Sequence, residues 1–395
     1  MGSIPAYVEP SILAWARKSA NIEQVAAERK LNVPAGRVQE WEDGSRHPTI
    51  TELRRAATVY NRSLGVFFLS EPPTSFDTLR DFRRLDLTTS GGWSPALHAE
   101  YQRAHFQRDA LLEIREIDGS APRASWQLPS LPGDDRALAA DLRANLLDVA
   151  PLAMPYNVSD EYSHLNFWIA ALEESGVLVL ATQGGHVLTT EMRAFSLYFQ
   201  DTPVIVLNGA DWPRGRLFSL LHEYAHLALH TAGLCDTTTD TRTVTADRAL
   251  EARCNAIAAE ALMPSASVTT LQVVQQHEYA TTWTLAELLE GSRHFGTSVE
   301  SFLRKLVSLG LATLESYQAF RESNREIDLR GRRSGSGNFY NNKVRDLGKG
   351  YVREVTDAYR RTVIDTATTA TFLDAKVGQI AELAQRAQLR RANGA

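Results

Sequence analysis

The chain has 395 residues, of which 44% are hydrophobic and 23% are charged, and its formal net charge is −5. This length predicts two or three domains with a sizeable hydrophobic core. The slight acidity gives no argument for a nucleic-acid partner. Two cysteines in so long a chain exclude a disulfide framework and indicate a reducing compartment.

The chain has no features of export or membrane insertion. No basic segment followed by an apolar run opens it, and no run approaches the roughly 20 apolar residues needed to span a bilayer. We therefore expect a cytoplasmic protein without a membrane partner.

The first predicted unit, residues 1–71, consists of short helices. Apolar periodicity and helix-start signals predict four of them, at 11–18, 22–30, 35–42 and 50–60. Asn21 and Gln24 form a candidate capping pair for the second helix. Pro34 suits the first turn of the third helix.

Residues 38–49 read Val-Gln-Glu-Trp-Glu-Asp-Gly-Ser-Arg-His-Pro-Thr. They resemble the recognition helix and following turn of a repressor-type, five-helix helix-turn-helix domain. The resemblance implies that Val38 and Trp41 pack inward. It also implies that four polar residues face a DNA groove, namely Arg37, Gln39, Ser45 and Arg46.

The charge of this unit leaves its partner open. Residues 1–70 contain nine Lys or Arg and seven Asp or Glu, a net charge of only +2. Because phosphate neutralisation supplies most non-specific DNA affinity, this is a weak electrostatic footprint. Two interpretations follow: a DNA-binding domain, or a module that docks a repressor protein or forms a homodimer.

The polar segment 72–92, which ends in Ser-Gly-Gly, predicts a linker. Apolar patterns beyond it predict helices at 95–117, 134–147 and 167–174, and strands at 177–181, 194–198 and 203–207. The strands predict a small mixed sheet. We expect one of these three strands to bind an extended substrate by strand addition.

Residues 220–229, Leu-Leu-His-Glu-Tyr-Ala-His-Leu-Ala-Leu, place two histidines four residues apart in an apolar helix. His222 and His226 then lie one turn apart on the same face, where they can share one metal ion. Glu223 lies at the edge of that face. From there it can reach a water beside the ion and act as a general base.

A catalytic zinc ion needs a third protein ligand and an open position for water. The candidate ligand is Glu251, 25 residues past His226 on a predicted helix at 249–260. Asn255 lies one turn further on the same side, where its amide could form a hydrogen bond to the free ring nitrogen or carboxylate oxygen of a metal ligand. His230 is one turn past His226, but direct ligation would fill the position of the water. We therefore expect His230 to pack against the site or to support a ligand.

The segment 222–264 carries a more specific resemblance. Its HExxH helix is followed by the run E-x-x-C-N-x-x-A-x-x-x-L-M-P, which begins at Glu251, and together they resemble the ImmA/IrrE family of zinc metallopeptidases. The resemblance implies that His222, His226 and Glu251 bind one zinc ion and that Glu223 is the base. It also implies an endopeptidase that cleaves a repressor protein, in a stress response or in the control of a mobile element.

One position departs from the family pattern. Residues 224 and 225 are Tyr-Ala, where family members often have Leu-Gly. We expect the bulky Tyr224 to face away from the ion and to be accommodated by packing.

The remainder of the chain predicts helices. Residues 283–311 on their own resemble a second helix-turn-helix, but we favour a helical extension packed on the peptidase core. Further helices are predicted at 344–364 and 371–391, after a break rich in Gly, Ser and Arg. The predicted fold is α+β and mostly helical, with a zincin-like core. Its predicted parts are a helix-turn-helix domain at 1–71, a linker at 72–92, a peptidase domain with its extension at 93–312 and a helical C-terminal domain at 313–395.

Two other functions are compatible with the sequence. A DNA-binding transcriptional regulator could use the metal site as a sensor or carry it as a vestige. An interaction module could merely share the fold of a peptidase. The intact set of two histidines and two glutamates favours the zinc endopeptidase.

Overall fold

The structure is a computed structural model, and it divides into two compact units, Met1–Arg103 and Ala104–Ala395. The α+β, mostly helical fold predicted from the sequence is confirmed. No helix within the described ranges is long and apolar enough to cross a membrane. The structure describes residues 5–20, 22–60, 62, 64–69, 71, 93–120, 126, 134–156, 160–183, 186–229, 233–235, 246–278, 282–328 and 338–388.

The first unit contains short helices in the predicted order, namely α1 Pro10–Ser19, α2 Gln24–Leu31, α3 Arg37–Glu42, α4 Ile50–Val59 and a 3₁₀ helix Leu64–Phe68. α2 begins two residues later than predicted, with Glu23 at its N-cap and no side-chain cap. Asn21 lies outside the described residues. α4 begins with a reciprocal cap instead. The Thr49 N–H donates to the Glu52 carboxylate at 2.7 Å, and the Glu52 N–H donates to the Thr49 hydroxyl at 3.2 Å.

Apolar side chains from these helices meet in one core, which includes Ile12 of α1, Leu31 of α2, Trp41 of α3 and Leu53 of α4. The predicted inward packing of Val38 and Trp41 is confirmed, since both are buried. The fold of this unit therefore follows from its apolar periodicity.

A buried ion pair fixes α1 against α3. Arg17 donates from Nε and Nη2 to the two carboxylate oxygens of Glu42 at 2.5 and 2.9 Å. Gln24 donates to the same carboxylate at 3.0 Å. The hydrogen bond with Glu42 raises the pKa of Arg17, so the guanidinium stays charged in the folded unit. This network orients the predicted recognition helix.

The second unit is built around a four-stranded sheet, with β1 Leu178–Ala181, β2 Ala194–Leu197, β3 Val204–Leu207 and β4 Gly233–Cys235. The spatial order is β1-β3-β2-β4. β1 is parallel to β3, whereas β2 is antiparallel to both β3 and β4. β1, β2 and β3 are the predicted strands, and each is fully buried. The sequence analysis misses β4, because three residues are too few to show a period of two.

Helices surround this sheet: α5 Pro95–Asp118, α6 Asp135–Val149, α7 Ser163–Ser175, α8 Pro213–Ala228 and α9 Ala246–Leu262. α8 is buried along nearly its whole length. It packs on β2, β3, α7 and α9. Leu220 and Leu221 of α8 share one hydrophobic core with Ile257 of α9.

Five helices follow α9, namely α10 Ser265–Thr269, α11 Gln272–Gln275, α12 Leu285–Phe295, α13 Val299–Ser308 and α14 Leu314–Asp328. Thr284 and Glu287 form a capping box at the start of α12. Phe302 and Leu306 of α13 are buried in the same core as the apolar side chains of α8. The segment 283–311 therefore packs on the hydrophobic core that surrounds α8.

The last helices are α15 Phe339–Leu347, α16 Lys349–Arg360, α17 Thr366–Phe372 and α18 Ile380–Ala387. Gly348, at φ +84°, interrupts the helix predicted at 344–364. A Cβ at Gly348 would stand 2.3 Å from the carbonyl oxygen of Val179 in β1, so only glycine allows this approach.

The compact units differ from the predicted domains. The helices after residue 313 belong to the same unit as the four-stranded sheet, and the first unit extends to Arg103 rather than to 71. Within that first unit, the Arg62 guanidinium donates to Gln102 of α5. The predicted linker, 72–92, lies outside the described residues.

A buried carboxylate anchors α16 to α7. Glu173, whose side chain is 6% exposed, accepts hydrogen bonds from the Gly350 N–H at 2.7 Å and from Arg353 at 3.0 Å. Burial raises the pKa of Glu173 despite the opposing charge of Arg353. The carboxylate thus ties residues about 180 positions apart in the chain.

Replacing Glu173 with Ala should lower the free energy of unfolding of this unit by about 3 kcal/mol, because it leaves Arg353 without its partner. Urea unfolding followed by circular dichroism measures this change. The control is Asp357→Ala in α16, which removes an exposed ion pair with Arg360 and should cost less than about 1 kcal/mol. Equal losses in the two variants would contradict the anchoring role of Glu173.

Candidate metal centre

Three residues of α8 form the predicted metal and base site, and all three are buried. His222, Glu223 and His226 are 1%, 0% and 2% exposed. Pro213 occupies the first turn of α8 and starts it, since its fixed φ suits that position. The helix therefore holds these three residues in the interior of the unit, next to the sheet.

The turn between β3 and α8 is held by one buried amide. Asn208 donates from Nδ2 to the carbonyls of Val187 and Met192 at 3.1 and 2.8 Å. Its Oδ1 accepts from the Ala210 N–H at 2.9 Å. These bonds fix the direction in which α8 leaves the sheet.

Two histidines of α8 and one glutamate of α9 converge on a single point. The Nε2 atoms of His222 and His226 are 3.1 Å apart. Glu251 brings Oε2 within 3.3 Å of His222 Nε2 and Oε1 within 3.2 Å of His226 Nε2. In the part of the chain that the structure describes, these residues form the one group of His, Cys, Asp or Glu side chains able to share an ion.

The spacing of these atoms fits a zinc ion. Donors about 2.0–2.2 Å from a tetrahedral metal lie roughly 3.3–3.5 Å from one another. Two imidazole nitrogens and a carboxylate are also a donor set that catalytic zinc sites use. Two bare ring nitrogens 3.1 Å apart would oppose their lone pairs. They therefore need either a shared proton or a metal cation between them.

The electrostatics of the cluster favour such a charge. Burial alone would lower the pKa of His226. Hydrogen bonds with Cys254 and Glu251, together with the Glu223 charge, outweigh burial and raise that pKa to about 11. Burial would raise the pKa of Glu251, but hydrogen bonds with the two histidines lower it to about 2. Both shifts show that the surroundings favour a positive charge between the histidines and Glu251.

Glu223 is held by a residue that the sequence analysis does not identify. Ser196 of β2 is buried, and its Oγ donates to Glu223 Oε2 at 2.7 Å. This bond fixes the orientation of the carboxylate beside the histidines. The signal in the sequence is a hydroxyl within the apolar run of β2, but only the packing of β2 on α8 gives it meaning.

Tyr224 lies on the other side of α8. It is buried, its hydroxyl donates to the Trp126 carbonyl at 3.0 Å, and Asn145 donates to that hydroxyl at 3.4 Å. Burial raises the pKa of Tyr224 to about 12, so the hydroxyl stays neutral. The residue packs in the core, as expected for a side chain facing away from the cluster.

Other residues named from the sequence have different surroundings. Asn255 is half-buried, and its side chain makes no hydrogen bond to any residue that the structure describes. Cys254 is fully buried next to His226, and burial raises the pKa of its thiol. His230 lies outside the described residues. The Cys254 thiol thus forms a hydrogen bond with His226, and the supporting role of Asn255 stays a prediction.

The four residues expected to face DNA are placed on or after α3. Gln39, Ser45 and Arg46 are exposed, whereas Arg37 is half-buried and pairs with Glu40 at 3.0 Å. Ser45 donates from Oγ to the Glu40 carbonyl at 3.2 Å. Gln39 and Arg46 are therefore the more available of the four.

Two family models match the chain. Residues 172–307 match the IrrE N-terminal-like domain of peptidase family M78, and they include the whole cluster. Residues 13–67 match a helix-turn-helix model, which covers α1 to the 3₁₀ helix. A search of curated proteins finds no match. Over these two ranges the chain is therefore similar to an IrrE N-terminal-like peptidase domain and to a helix-turn-helix domain.

Proposed function

We propose that this chain is a zinc-dependent endopeptidase that regulates transcription by cleaving a repressor protein. The observation that carries the proposal is the buried Glu223, held by Ser196 beside the cluster of His222, His226 and Glu251. The match to a peptidase family supports hydrolysis of peptide bonds. The attached helix-turn-helix domain supports a role in transcription.

His222, His226 and Glu251 would hold one zinc ion between α8 and α9, with a fourth position left for solvent. When bound, zinc polarises the carbonyl of the scissile peptide and lowers the pKa of water from 15.7 to about 7. Glu223 accepts the proton of the attacking water and then donates it to the nitrogen of the leaving amine. Ser196 holds Oε2 of Glu223 in place during both transfers.

The substrate would bind as an added strand. β2 and β3 each have a neighbour on both sides, so among the described strands only β1 and β4 lie at an edge. The turn at Gly348 packs on the backbone of β1. β4 pairs with β2, the strand that carries Ser196. We therefore assign substrate binding to β4, in place of the three strands considered from the sequence.

A DNA-binding regulator is the second candidate function, favoured by the helix-turn-helix match and by the exposed Gln39 and Arg46. In that case the metal site would be a sensor or a vestige. Such a protein binds operator DNA with an affinity that falls steeply with salt, and it cleaves nothing. Proteolysis therefore separates the two functions.

Replacing Glu223 with Gln should abolish cleavage while zinc stays bound, because the variant keeps the shape of the side chain but cannot accept a proton. The loss should be at least about a hundredfold, the usual contribution of a general base. Mass spectrometry of new protein N-termini in cells producing either form measures it. We expect one repressor to be cut only by the unaltered chain. A variant that still cuts would remove Glu223 from the mechanism, and the absence of any cut repressor would contradict the proposed substrate.

Replacing Ser196 with Ala should lower kcat about tenfold with KM unchanged, because one hydrogen bond that positions the base is lost. Steady-state kinetics on the repressor measure the two constants separately. Zinc content should be unaffected. A rise in KM at constant kcat would instead assign Ser196 to substrate binding.

Replacing Glu251 with Gln should release zinc, because the neutral amide is a poor ligand and two imidazoles alone do not complete the site. Elemental analysis of dialysed protein measures the metal. The matched control is Glu260→Gln on the same helix, whose carboxylate pairs with Lys305 outside the cluster. Full zinc occupancy in Glu251→Gln would place the third ligand elsewhere.

A further inference from the structure

A second concave site lies in the unit Ala104–Ala395, apart from the metal cluster. It is a cavity of about 320 Å³ lined by residues of α6, α7, α9 and α12. Trp168, Leu262 and Phe295 form its apolar wall. Leu262 is eleven residues beyond Glu251 on α9, which is roughly 16 Å along the helix axis. A molecule in this cavity therefore does not reach the cluster.

Arg143 gives the cavity a positive charge without a counter-ion. Its Nη1 donates to the Ala261 carbonyl at 2.7 Å, and its guanidinium stands 5.3 Å from the centre of the Trp168 ring. No acidic side chain in the described ranges pairs with Arg143 or lines the cavity. Burial lowers its pKa. A desolvated guanidinium in this state favours an anion, which it can bind through paired N–H groups.

His164 adds an unsatisfied acceptor to the same cavity. The residue is 4% exposed, and its Nε2 has no hydrogen-bond partner among the described residues. Burial lowers the pKa of His164 to about 4, and a hydrogen bond to the Arg293 backbone opposes this effect. The imidazole is thus neutral and donates to the backbone, so Nε2 offers a lone pair. Leaving such a buried acceptor unpaired is costly, and a ligand donor would satisfy it.

The remaining lining includes two further aromatic rings, those of Tyr156 and His294. His294 lies against Tyr156, with their ring centres 5.3 Å apart, and it also contacts Phe295. Together with Trp168, these rings give the cavity an aromatic surface against which a planar group can pack. The volume is that of a small-molecule pocket, which is typically apolar with a few placed polar groups.

We propose that this cavity binds a small aromatic carboxylate that carries an N–H or O–H donor. The carboxylate pairs with Arg143, the donor bonds to His164 Nε2, and the ring packs against Trp168 and Phe295. This ligand is distinct from the peptide substrate, and the assignment does not depend on the proposed peptidase activity.

Isothermal titration calorimetry of the full chain with three probes tests the chemistry. Indole-3-acetate offers both groups, 1-naphthylacetate lacks the N–H, and indole-3-acetamide lacks the charge. Indole-3-acetate should bind with a Kd on the order of 0.1–1 mM. The acetamide should bind at least tenfold more weakly, and naphthylacetate about threefold to tenfold more weakly. Because naphthalene is the more apolar ring, tighter binding of naphthylacetate would overturn the role of His164.

Variants locate the binding site. Arg143→Met should weaken indole-3-acetate at least tenfold, whereas Arg136→Met, on the same helix but 67% exposed, should not change it. Thr270→Trp places an indole at an exposed position of the rim and should block binding without touching the interior. Circular dichroism checks that each variant is folded. Unchanged affinity in Thr270→Trp, or no binding of indole-3-acetate to the unaltered chain at millimolar concentration, would overturn the proposal.

Discussion

The central constraint on the second unit is a cluster of two imidazole rings and two carboxylates buried in an otherwise apolar interior. Two imidazole nitrogens and a carboxylate meet within 3.3 Å of one another, next to a second carboxylate at Glu223. A proton or a metal cation at its centre stabilises such a group, because unpaired polar groups are costly to bury. Despite burial, hydrogen bonds with Cys254 and Glu251 and the charge of Glu223 raise the pKa of His226, which favours a positive charge at this point. A zinc ion bound here would balance the negative charge of the carboxylates and also join α8 to α9.

The scaffold supports this cluster from several sides. Asn208 fixes the turn from the sheet into α8, and β2 brings Ser196 to the base. α9 supplies Glu251 from the opposite side and packs against α6 and α8. Most residues of α8 are buried, so packing holds the helix and its polar side chains in place. The geometry of the base and of the ligands is therefore set by packing rather than by flexible loops.

Much of this arrangement can be predicted from the sequence, where the signal is local. The spacing of His222 and His226 fixes their shared face, because a helix turns by about 100° per residue. The helices of the first unit follow from their periodicity and from breaks such as Asn32, which takes a left-handed conformation. The role of Glu251 is harder to predict from local sequence. Periodicity and spacing make it a candidate on a nearby helix, and the family resemblance supports it as a metal ligand.

The features that sequence reasoning misses depend on contacts between distant residues. Ser196 acts on Glu223 across 27 positions, and β4 exists only because it pairs with β2. The attachment of α16 rests on Glu173 and Arg353, which are 180 positions apart. The sequence pattern places Gly348 inside a helix, whereas in the structure its backbone lies against that of β1. No local pattern carries this information, because strand pairing and burial are properties of the whole fold.

The most direct test of the central claim is X-ray absorption spectroscopy at the zinc edge, on the full chain purified with zinc. Our account predicts two imidazole rings with Zn–N distances of about 2.0–2.1 Å and oxygen ligands at about 2.0–2.2 Å. Cys254, although it lies beside His226, should contribute no sulfur ligand. A sulfur neighbour at about 2.3 Å, or a chain that binds no zinc, would contradict the account.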